Sequence, residues 1–397
     1  MDICAYQIMK RTFYLLILLC LLSFKWTFAQ QITLSDKATI SVMTCGAGDV
    51  LYYSFGHSAF RVQDPAQGID VIYNYGTFDF NRPNFYLNFT KGKLIYSLSR
   101  RSFDRFLYEY ELDRRWVKEQ ILNLTPKETN EMFQFFEQNY LPENREYLYD
   151  PLFNNCSSIT GVVLKNQFGS RITFKDHHLT EQKTFRNLVH EFIPINSWGA
   201  FGIDLAFGGI TDRKASAVEQ MFLPYYAHEQ LKNTTIDDQP IVKRERTVLE
   251  YPEVKKGSIF ITTPLFWFLI LLGLVIAITY LDRKHGFRSK ILDFSLFFLS
   301  GIAGCFILLL WLATDHEVTR FNLNFIWLLP FNTYMAFIVS KSTGFPKWLK
   351  TYLLVALGGI VIIILLWTFG IHAISPLNLF LMAALSIRYL FLYNKIK

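Results

Sequence analysis

The distribution of apolar residues divides the chain near residue 258. Residues 30–258 mix charged residues, aromatic residues and Gly/Pro turns, and they contain no apolar run long enough to cross a bilayer. Beyond them, apolar runs recur at about 262–281, 291–313, 323–340, 350–372 and 377–393. The pattern predicts a soluble α+β domain of ordinary size over 30–258, followed by a helical membrane domain over 259–397.

We predict five membrane spans from these five runs. A helix needs about 20 apolar residues to cross the hydrocarbon core, and the first, second and fourth runs have that length. The third run contains Pro330 and Asn332, and the fifth is short and carries Arg388. These two are therefore the weaker members of the set.

The charges of the connecting loops predict the orientation of the spans. If the soluble domain lies outside, then "DRKHGFRSK" (282–290), "KSTGFPKWLK" (341–350) and the C-terminal lysines all fall on the cytoplasmic side, while the balanced "TDHEVTRFN" (314–322) falls outside. This alternation follows the positive-inside rule.

The N-terminus has the pattern of a secretory signal. Lys10 and Arg11 precede an apolar run from Phe13 to Phe24, and Thr27-Phe28-Ala29 then provides a cleavage site before Gln30. We predict a signal peptide over residues 1–29; the alternative is an uncleaved N-terminal anchor. Either way, the following domain is exported.

Composition agrees with a membrane protein. The chain is 51% hydrophobic and only 18% charged, which is too apolar for a soluble protein of 397 residues. Much of the formal charge of +7 lies in the cytoplasmic loops, so it gives no reason to expect nucleic acid as a partner.

Two cysteines, Cys45 and Cys156, lie in the exported domain. They could form a disulfide in an oxidising compartment. Alternatively, Asn154 and Asn155 can cap a helix whose first turn holds Cys156. The helix dipole and the free backbone N–H groups there favour a nucleophilic thiolate and could hold an oxyanion.

A thiolate nucleophile needs a base, and His57 is the best candidate. It lies in a strand-like run, "LYYSFGHSAFRV" (51–62), that leads through a turn into a second strand, "VIYNYGTFDF" (71–80). From this pattern alone, an ordinary packed histidine is equally compatible. His190 and His228 lie among charged residues and are predicted to be on the surface. The pair His177 and His178 has no Cys or carboxylate at zinc-ligand spacing, so we predict no metal and no cofactor.

Several motifs together resemble one family. "TCGAGDVLYYSFGHSAFRV", "IYNYGTFDF", "NFYLNFTKGKLIYSLS", "YDPLFNNCSS" and "GIDLAFGGITDRKASAVEQMFLP", followed by "TDHEVTRFNLNFIWLLPFN", resemble the Lnb-type bacterial lipoprotein N-acyltransferases over nearly the whole mature chain. The resemblance implies a periplasmic domain of the permuted NlpC, papain-like type, with His57 as base and Cys156 as nucleophile. Ala47 departs from the pattern, where a proline is expected.

A third group that orients the base is sought on the second strand of the hairpin. If Pro65 to Asp70 form the turn, the returning strand passes His57 near Thr77. Tyr75 and Asp79 then share its face, whereas Asn74 points away. We predict Tyr75, and after it Asp79, as the orienting group; ordinary strand packing of these side chains is at least equally compatible, and a slip of one residue would reverse the choice of face.

The resemblance implies acyl transfer through a cysteine thioester. The implied donor is a membrane phospholipid, the acceptor is the α-amino group of a diacylglyceryl-cysteine lipoprotein, and the location is the bacterial inner membrane. His316 and Arg320 in the outer loop are candidate contacts for a phosphate headgroup. The aromatic segments "FDFNRPNFYLNF" (78–89) and "FLPYY" (222–226) could line an acyl-chain groove, meet the membrane interface or pack in the core.

Two other functions use the same residues differently. A membrane-anchored NlpC-type cysteine peptidase of the cell wall would need the same Cys-His pair, because a fold does not fix a function. A non-enzymatic envelope scaffold would instead join Cys45 to Cys156.

Overall fold

The computed structural model describes residues 9, 12–14, 32–252, 259–341 and 344–396. The predicted signal peptide and its cleavage site after Ala29 therefore lie almost entirely outside the described residues. Residues 32–252 form a mixed helix-and-sheet unit, which we name the sheet domain. Residues 259–396 form the helical domain. The predicted order of a mixed α and β part followed by a helical membrane part is confirmed.

Most strands of the sheet domain form one antiparallel sheet of seven strands, in the order β10-β5-β1-β2-β3-β4-β6. A separate three-stranded sheet has the order β7-β8-β9. The strands are β1 Thr39–Cys45, β2 His57–Asp64, β3 Ile69–Thr77, β4 Ile95–Ser102, β5 Val117–Leu122, β6 Glu146–Leu148, β7 Ile172–Phe174, β8 Thr234–Ile236, β9 Gln239–Pro240 and β10 Val242–Leu249.

Helices cover the large sheet and continue into the second domain. Those of the sheet domain are α1 Phe85–Thr90, α2 Phe103–Leu112, α3 Pro126–Tyr140, α4 Ser158–Phe168, α5 Phe185–His190, α6 Trp198–Ala206, α7 Ala217–Gln220 and α8 Pro224–Lys232. Those of the helical domain are α9 Pro264–Lys284, α10 Lys290–Leu312, α11 Asn332–Val339, α12 Trp348–Thr368 and α13 Asn378–Lys395.

The two faces of the large sheet carry alternate residues of each strand, as the two-residue period of a strand requires. Phe60 and Tyr73 face α3 and α4 and join Phe136 in the main core. Ala59 and Ile72, one position away in each strand, face α2 on the other side. Buried apolar residues on both faces make the sheet the middle layer of the domain, so its strand ends hold side chains in fixed positions.

Among the described residues, three helices of the helical domain are long and apolar enough to cross a membrane: α9, α10 and α12. They correspond to the first, second and fourth predicted spans, which are thus confirmed by length and composition. The prediction of five spanning helices is not met by the other two runs.

The third predicted span is not one continuous helix. Residues 323–326 form a 3₁₀ turn, the chain then breaks around Pro330, and α11 has only eight residues. Proline lacks an N–H and restricts the residue before it, which explains the break. The broken segment lies directly on α10: a Cβ on Gly304 would be 1.7 Å from the Leu328 carbonyl oxygen. Small residues in membrane helices permit this close approach.

The fifth predicted span is helix α13, which has 18 residues and carries a buried cation. Arg388 donates to Asp282 on α9 at 2.9 Å and to Asp293 on α10 at 2.8 Å. All three side chains are inaccessible to solvent. The pairing explains how a short helix with an arginine packs into an apolar bundle, because a buried charge needs partners.

The two domains are joined by polar contacts at one end of the helical domain. Asn322 donates to the Leu205 carbonyl of α6 at 2.8 Å, and the Gly208 N–H donates to the Val318 carbonyl at 2.9 Å. His372, after α12, lies 3.3 Å from Asp212 in the sheet domain. These contacts place the loop after α10 and the loop after α12 against the sheet domain.

Candidate active site

His57 is the first residue of β2, at the end of the large sheet nearest the β1–β2 connection. It is paired with Cys45, the last residue of β1. The β2–β3 register pairs Phe60 with Tyr73 and, extended to the strand end, brings Gly76 opposite His57. The sequence prediction placed this crossing near Thr77, give or take two residues, so Gly76 lies within the predicted range but one residue from its centre.

This slip of one residue changes the partner of the imidazole. Asn74 shares the face of His57, and its Oδ1 accepts a hydrogen bond from Nε2 at 2.5 Å. The sequence prediction that Asn74 points away from His57 is therefore wrong.

The prediction that Tyr75 or Asp79 orients the imidazole is also wrong. Tyr75 is buried on the other face of the sheet, where its hydroxyl accepts a hydrogen bond from Asn139 at 2.6 Å. Asp79 lies in an exposed turn after β3, where its Oδ1 accepts from the Asn81 N–H at 2.9 Å. Neither side chain reaches His57, because alternate residues of β3 face opposite sides.

Cys156 lies in a tight turn that leads into α4. Asn155 Oδ1 accepts from the N–H groups of Ser157 and Ser158, both at 2.8 Å, and the Asn155 carbonyl accepts from Ile159. Asn155 thus provides the predicted cap, although the regular helix begins at Ser158, two residues after the cysteine. The Asn155 amide also donates to the Phe222 carbonyl at 2.8 Å, which fixes the turn against the rest of the domain.

The turn brings Cys156 against His57. The two side chains form a hydrogen bond. Gly76 makes room for this contact: a Cβ on it would lie 3.2 Å from Cys156 Cβ, and its φ of +89° suits glycine. The structure thus brings together His57 and Cys156, far apart in sequence, and adds Asn74.

Burial and mutual attraction shift the pKa values of this pair in opposite directions. Burial raises the pKa of the Cys156 thiol, but the charge and hydrogen bond of His57 more than reverse this, so the pKa is lowered overall. Burial likewise lowers the pKa of His57, and the thiolate together with hydrogen bonds from Cys156 and Asn74 raises it overall. Both shifts favour a thiolate-imidazolium pair, the activated form of a cysteine nucleophile.

Two backbone N–H groups point at the sulfur of Cys156, those of Ser58 and of Cys156 itself. The sequence prediction assigned an oxyanion site to the N–H groups at the start of the following helix. The structure corrects this in part, because the Asn155 side chain already occupies the N–H groups of Ser157 and Ser158. This leaves the N–H groups of Ser58 and Cys156, which act on the thiol itself, as the candidate donors to an oxyanion.

Three tyrosines, from β4, from β6 and from the position after β6, lie near enough to the thiol to sense its charge. The charge of Cys156 contributes to raised pKa values for Tyr96, Tyr147 and Tyr149, although burial is the larger cause for each. The rings of Tyr96 and Tyr149 stack with centroids 4.1 Å apart. Sequence reasoning missed all three, because only the pairing of β4 with β6 brings them together.

Cys45 lies near the pair but differs from Cys156. Its thiol is buried in the core under α2, and burial raises its pKa to about 12 despite a hydrogen bond from Tyr110. Cys45, Cys156 and Cys305, the described cysteines, are all free thiols. The structure therefore shows no Cys45–Cys156 disulfide, and an unreactive thiol is expected at Cys45.

The outer loop of the helical domain approaches the segment that precedes Cys156. The His316 ring hydrogen-bonds with Thr314 at 2.9 Å and with the Phe89 carbonyl, and it lies close enough to the Asp150 carboxyl to influence its charge. Arg320 is exposed and pairs with Glu317 at 2.9 Å. A contact of either residue with a phosphate group stays a prediction.

The two aromatic segments have different environments. Phe222 and Leu223 of "FLPYY" are core residues, as one of the alternatives required, whereas Tyr225 is exposed. In the first segment, Phe78, Phe80 and Phe85 pack on one another, and Tyr86 is exposed. A cleft of about 440 Å³ beside this segment is lined by Phe78, Arg100 and neighbouring residues, but neither His57 nor Cys156 contributes to its wall.

Two other histidines differ from expectation. His228, predicted to lie on the surface, is buried and stands 3.2 Å from Glu245. His190 is largely buried and hydrogen-bonds with Asp204 at 2.8 Å. Both lie against carboxyl groups, away from Cys156.

Comparison with known protein families gives two matches. Residues 26–191 match the model of the Lnb N-terminal periplasmic domain, and residues 255–397 match that of the Lnb transmembrane domain. The first match includes His57, Asn74 and Cys156, and the second includes the outer loop with His316. Comparisons with curated proteins and with solved structures found no match.

Proposed function

The chain belongs to the Lnb-type family, and from this membership and the geometry of the site we propose that it is a lipoprotein N-acyltransferase. The observation that carries the proposal is the hydrogen-bonded pair of Cys156 and His57, with Asn74 behind the ring. The family match indicates a membrane protein with a periplasmic part, so the pair would act at the periplasmic surface of the inner membrane.

The first half-reaction forms a thioester. The Cys156 thiolate attacks an ester carbonyl of a membrane phospholipid, and the N–H groups of Ser58 and Cys156 donate to the resulting oxyanion. As the tetrahedral intermediate collapses, the imidazolium of His57 gives its proton to the departing alkoxide. A lysophospholipid leaves, and the acyl chain remains on sulfur.

The second half-reaction forms an amide. The neutral α-amino group of a diacylglyceryl-cysteine lipoprotein attacks the thioester, and His57 accepts the proton that the nitrogen loses. The carbon-sulfur bond breaks, the thiolate is restored, and the new N–C bond completes the transfer. The hydrogen bond from Nε2 to Asn74 holds the ring in one orientation through both steps, so Asn74 is a positioning residue.

The membrane domain supports lipid substrates for this chemistry. Both the donor and the acceptor are anchored in the membrane, and the outer loop of the helical domain lies against the catalytic domain near Asp150. We assign the catalytic domain to residues 30–258 and the membrane domain to residues 259–397. A papain-like fold of the permuted NlpC type belongs to the same proposal.

Mass spectrometry of lipoprotein N-termini tests the proposal directly. Cells whose only copy is the wild-type protein should contain N-acylated lipoproteins, and cells with Cys156→Ala should contain diacylated forms. Cys305→Ser is the matched control, because Cys305 is an exposed thiol in the second span. N-acylated lipoproteins in the Cys156→Ala strain would exclude the proposal.

A second experiment separates an acyltransferase from a cysteine peptidase. The intact protein is incubated with phosphatidylethanolamine vesicles and analysed by mass spectrometry for an added acyl chain on Cys156. An acyl adduct that disappears when a diacylglyceryl lipopeptide is added is expected for acyl transfer. A peptidase would form no adduct with the phospholipid.

A further inference from the structure

The connection between β1 and β2 carries four consecutive apolar residues on its outer surface. Val50, Leu51, Tyr52 and Tyr53 are all exposed, Tyr52 to 63%. Residues 51–53 form a 3₁₀ turn, and we name residues 50–53 the apolar turn. A run of exposed apolar side chains is costly in water and is typical of a surface that meets a partner or a membrane.

The apolar turn lies beside the start of the first membrane helix. Leu51 packs on α6, where a Cβ on Gly199 would lie 2.8 Å from Leu51 Cδ1. The residue before Gly199, Trp198, donates to the Thr262 carbonyl at 2.9 Å and contacts the Phe268 ring. Thr262 is two residues before Pro264, where α9 begins. The turn therefore lies at the level where the chain enters the membrane.

Other residues near the start of α9 are also apolar or aromatic and exposed. Ile259, Phe260 and Ile261, just before α9, are exposed, and so is Trp198. Tryptophan and tyrosine are enriched where membrane proteins meet lipid headgroups. Through α6, the apolar turn thus adjoins a group of exposed apolar and aromatic residues at the start of the first span.

The backbone of the turn is held by hydrogen bonds, although its four side chains are exposed. The Gly48 N–H donates to the Tyr53 carbonyl at 2.8 Å, and the Arg115 side chain donates to the Gly46 carbonyl at 2.8 Å. The Arg115 guanidinium lies between the rings of Tyr53 and Tyr110, 4.9 and 4.7 Å from their centroids. A fixed turn can enter a lipid surface without paying for its own ordering.

We propose that the apolar turn inserts into the outer leaflet of the membrane and contacts phospholipid there. Its occupant is lipid because the turn is continuous with the segment that begins the first span. The turn also connects Cys45 to His57, so insertion holds the base of the catalytic pair at the lipid surface. In that position the site is presented with the acyl donor of the leaflet. This presentation step rests on the proposed function, whereas insertion itself does not.

Photo-crosslinking in vesicles tests insertion independently of any enzyme activity. The photoreactive amino acid p-benzoylphenylalanine replaces Tyr52 in the full chain, reconstituted in vesicles of phosphatidylethanolamine and phosphatidylglycerol. Leu274 in the middle of α9, which is exposed on the bundle surface, is the positive control. Ala66 is the negative control, because it lies in the hairpin turn at the far end of β2 from His57.

A phospholipid adduct is expected at positions 52 and 274 and not at position 66. Adducts at 274 alone would overturn the proposal. Monodisperse elution of each variant in detergent checks that it is folded.

A kinetic measurement examines presentation of the donor. Tyr52→Asp should lower acylation of Cys156 by vesicle phospholipid about tenfold, since it removes apolar contact with the leaflet. Alkylation of Cys156 by water-soluble iodoacetamide should not change. Unchanged acylation by vesicle phospholipid would exclude the presentation step, and a wild-type protein without any acylation would instead refute the proposed function.

Discussion

Asn74 Oδ1 lies 2.5 Å from Nε2 of His57, and the same imidazole is hydrogen-bonded to Cys156. The contact forms because residues 57 and 74 are on the same face of neighbouring antiparallel strands. It fixes the ring orientation, and because Nε2 is used by Asn74, Nδ1 is the nitrogen that remains for the thiol. A neutral amide does this without a second negative charge beside the thiolate.

Loss of this amide should slow the reaction. Asn74→Ala removes a hydrogen bond to an imidazolium, and such bonds are worth about 1.5–3 kcal/mol, so we expect acyl transfer to fall about tenfold to a hundredfold. Asn74→Asp keeps an acceptor and should retain more activity. Initial rates with vesicle phospholipid and a lipopeptide acceptor measure both. Equal rates for wild-type and Asn74→Ala would remove Asn74 from the mechanism.

The pH dependence follows from the two pKa shifts. The thiolate of Cys156 should persist to lower pH than an ordinary thiol, because His57 lowers its pKa. The imidazolium should persist to higher pH, because the thiolate and Asn74 raise its pKa, although Arg115 opposes this. The ion pair therefore exists between the two apparent pKa values, which belong to the coupled pair. Acyl transfer should show a broad bell-shaped profile across this window.

Alkylation by iodoacetamide measures the acid limb separately. In a Cys305→Ser background, the reaction of Cys156 should reach its plateau below the ordinary thiol pKa of 9.0. His57→Ala should move this limb toward higher pH, since the thiolate loses its cation. Cys45 should contribute little because burial raises its pKa to about 12. An unchanged limb in His57→Ala would contradict the ion pair.

Gly76 provides a steric test of the pair. Gly76→Ala places a methyl group 3.2 Å from Cys156 Cβ and strains a backbone with φ of +89°. Gly68→Ala has similar backbone strain, with φ of +67°, but meets nothing within 4 Å. Both variants should lose about 1 kcal/mol of unfolding free energy from the backbone. Only Gly76→Ala should also lower the rate of Cys156 acylation. Equal rates in the two variants would show that close packing at Gly76 is unimportant.

The sequence predicted the two reactive residues of the site but not the residues that surround them. His57 and Cys156 could be identified because one lies on a hairpin strand and the other behind a capping asparagine, both local signals. The orienting residue could not, since a register shift of one residue exchanges Asn74 for Tyr75 and no local pattern fixes the register. Tyr96 and Tyr147 depend on strand pairing between distant segments. In the membrane domain, Pro330 and Arg388 marked the two runs that do not form long apolar helices.

Tyr75 should matter for stability and not for chemistry. Tyr75→Phe removes the hydroxyl that accepts from Asn139 at 2.6 Å, and the expected cost is about 1 kcal/mol of unfolding free energy. Tyr73→Phe is the control, because its hydroxyl also bonds a residue of α3, Glu137. Neither variant should change the pH profile of acyl transfer. A shifted profile in Tyr75→Phe alone would return Tyr75 to the catalytic group.

His316 and Arg320 should differ in their effects, although they lie in the same outer loop. The His316 ring bonds Thr314 and the Phe89 carbonyl, and the adjacent Asp315 N–H donates to the Lys91 carbonyl at 2.9 Å. His316 thus ties the membrane domain to the catalytic domain beside the segment that precedes Cys156. His316→Ala should reduce acylation by vesicle phospholipid about tenfold, because it removes one half-buried hydrogen-bonding group.

Alkylation of Cys156 by iodoacetamide should be unaffected in His316→Ala, since the contacts of the catalytic pair remain. His316→Gln, which can still donate to the Phe89 carbonyl, should recover part of the lost rate. Arg320→Ala should stay within about twofold of wild type, because an exposed ion pair such as Arg320–Glu317 contributes little. If Arg320 instead holds the phosphate of the donor, Arg320→Ala will raise the apparent KM for anionic phospholipid, and the difference between the two residues will disappear.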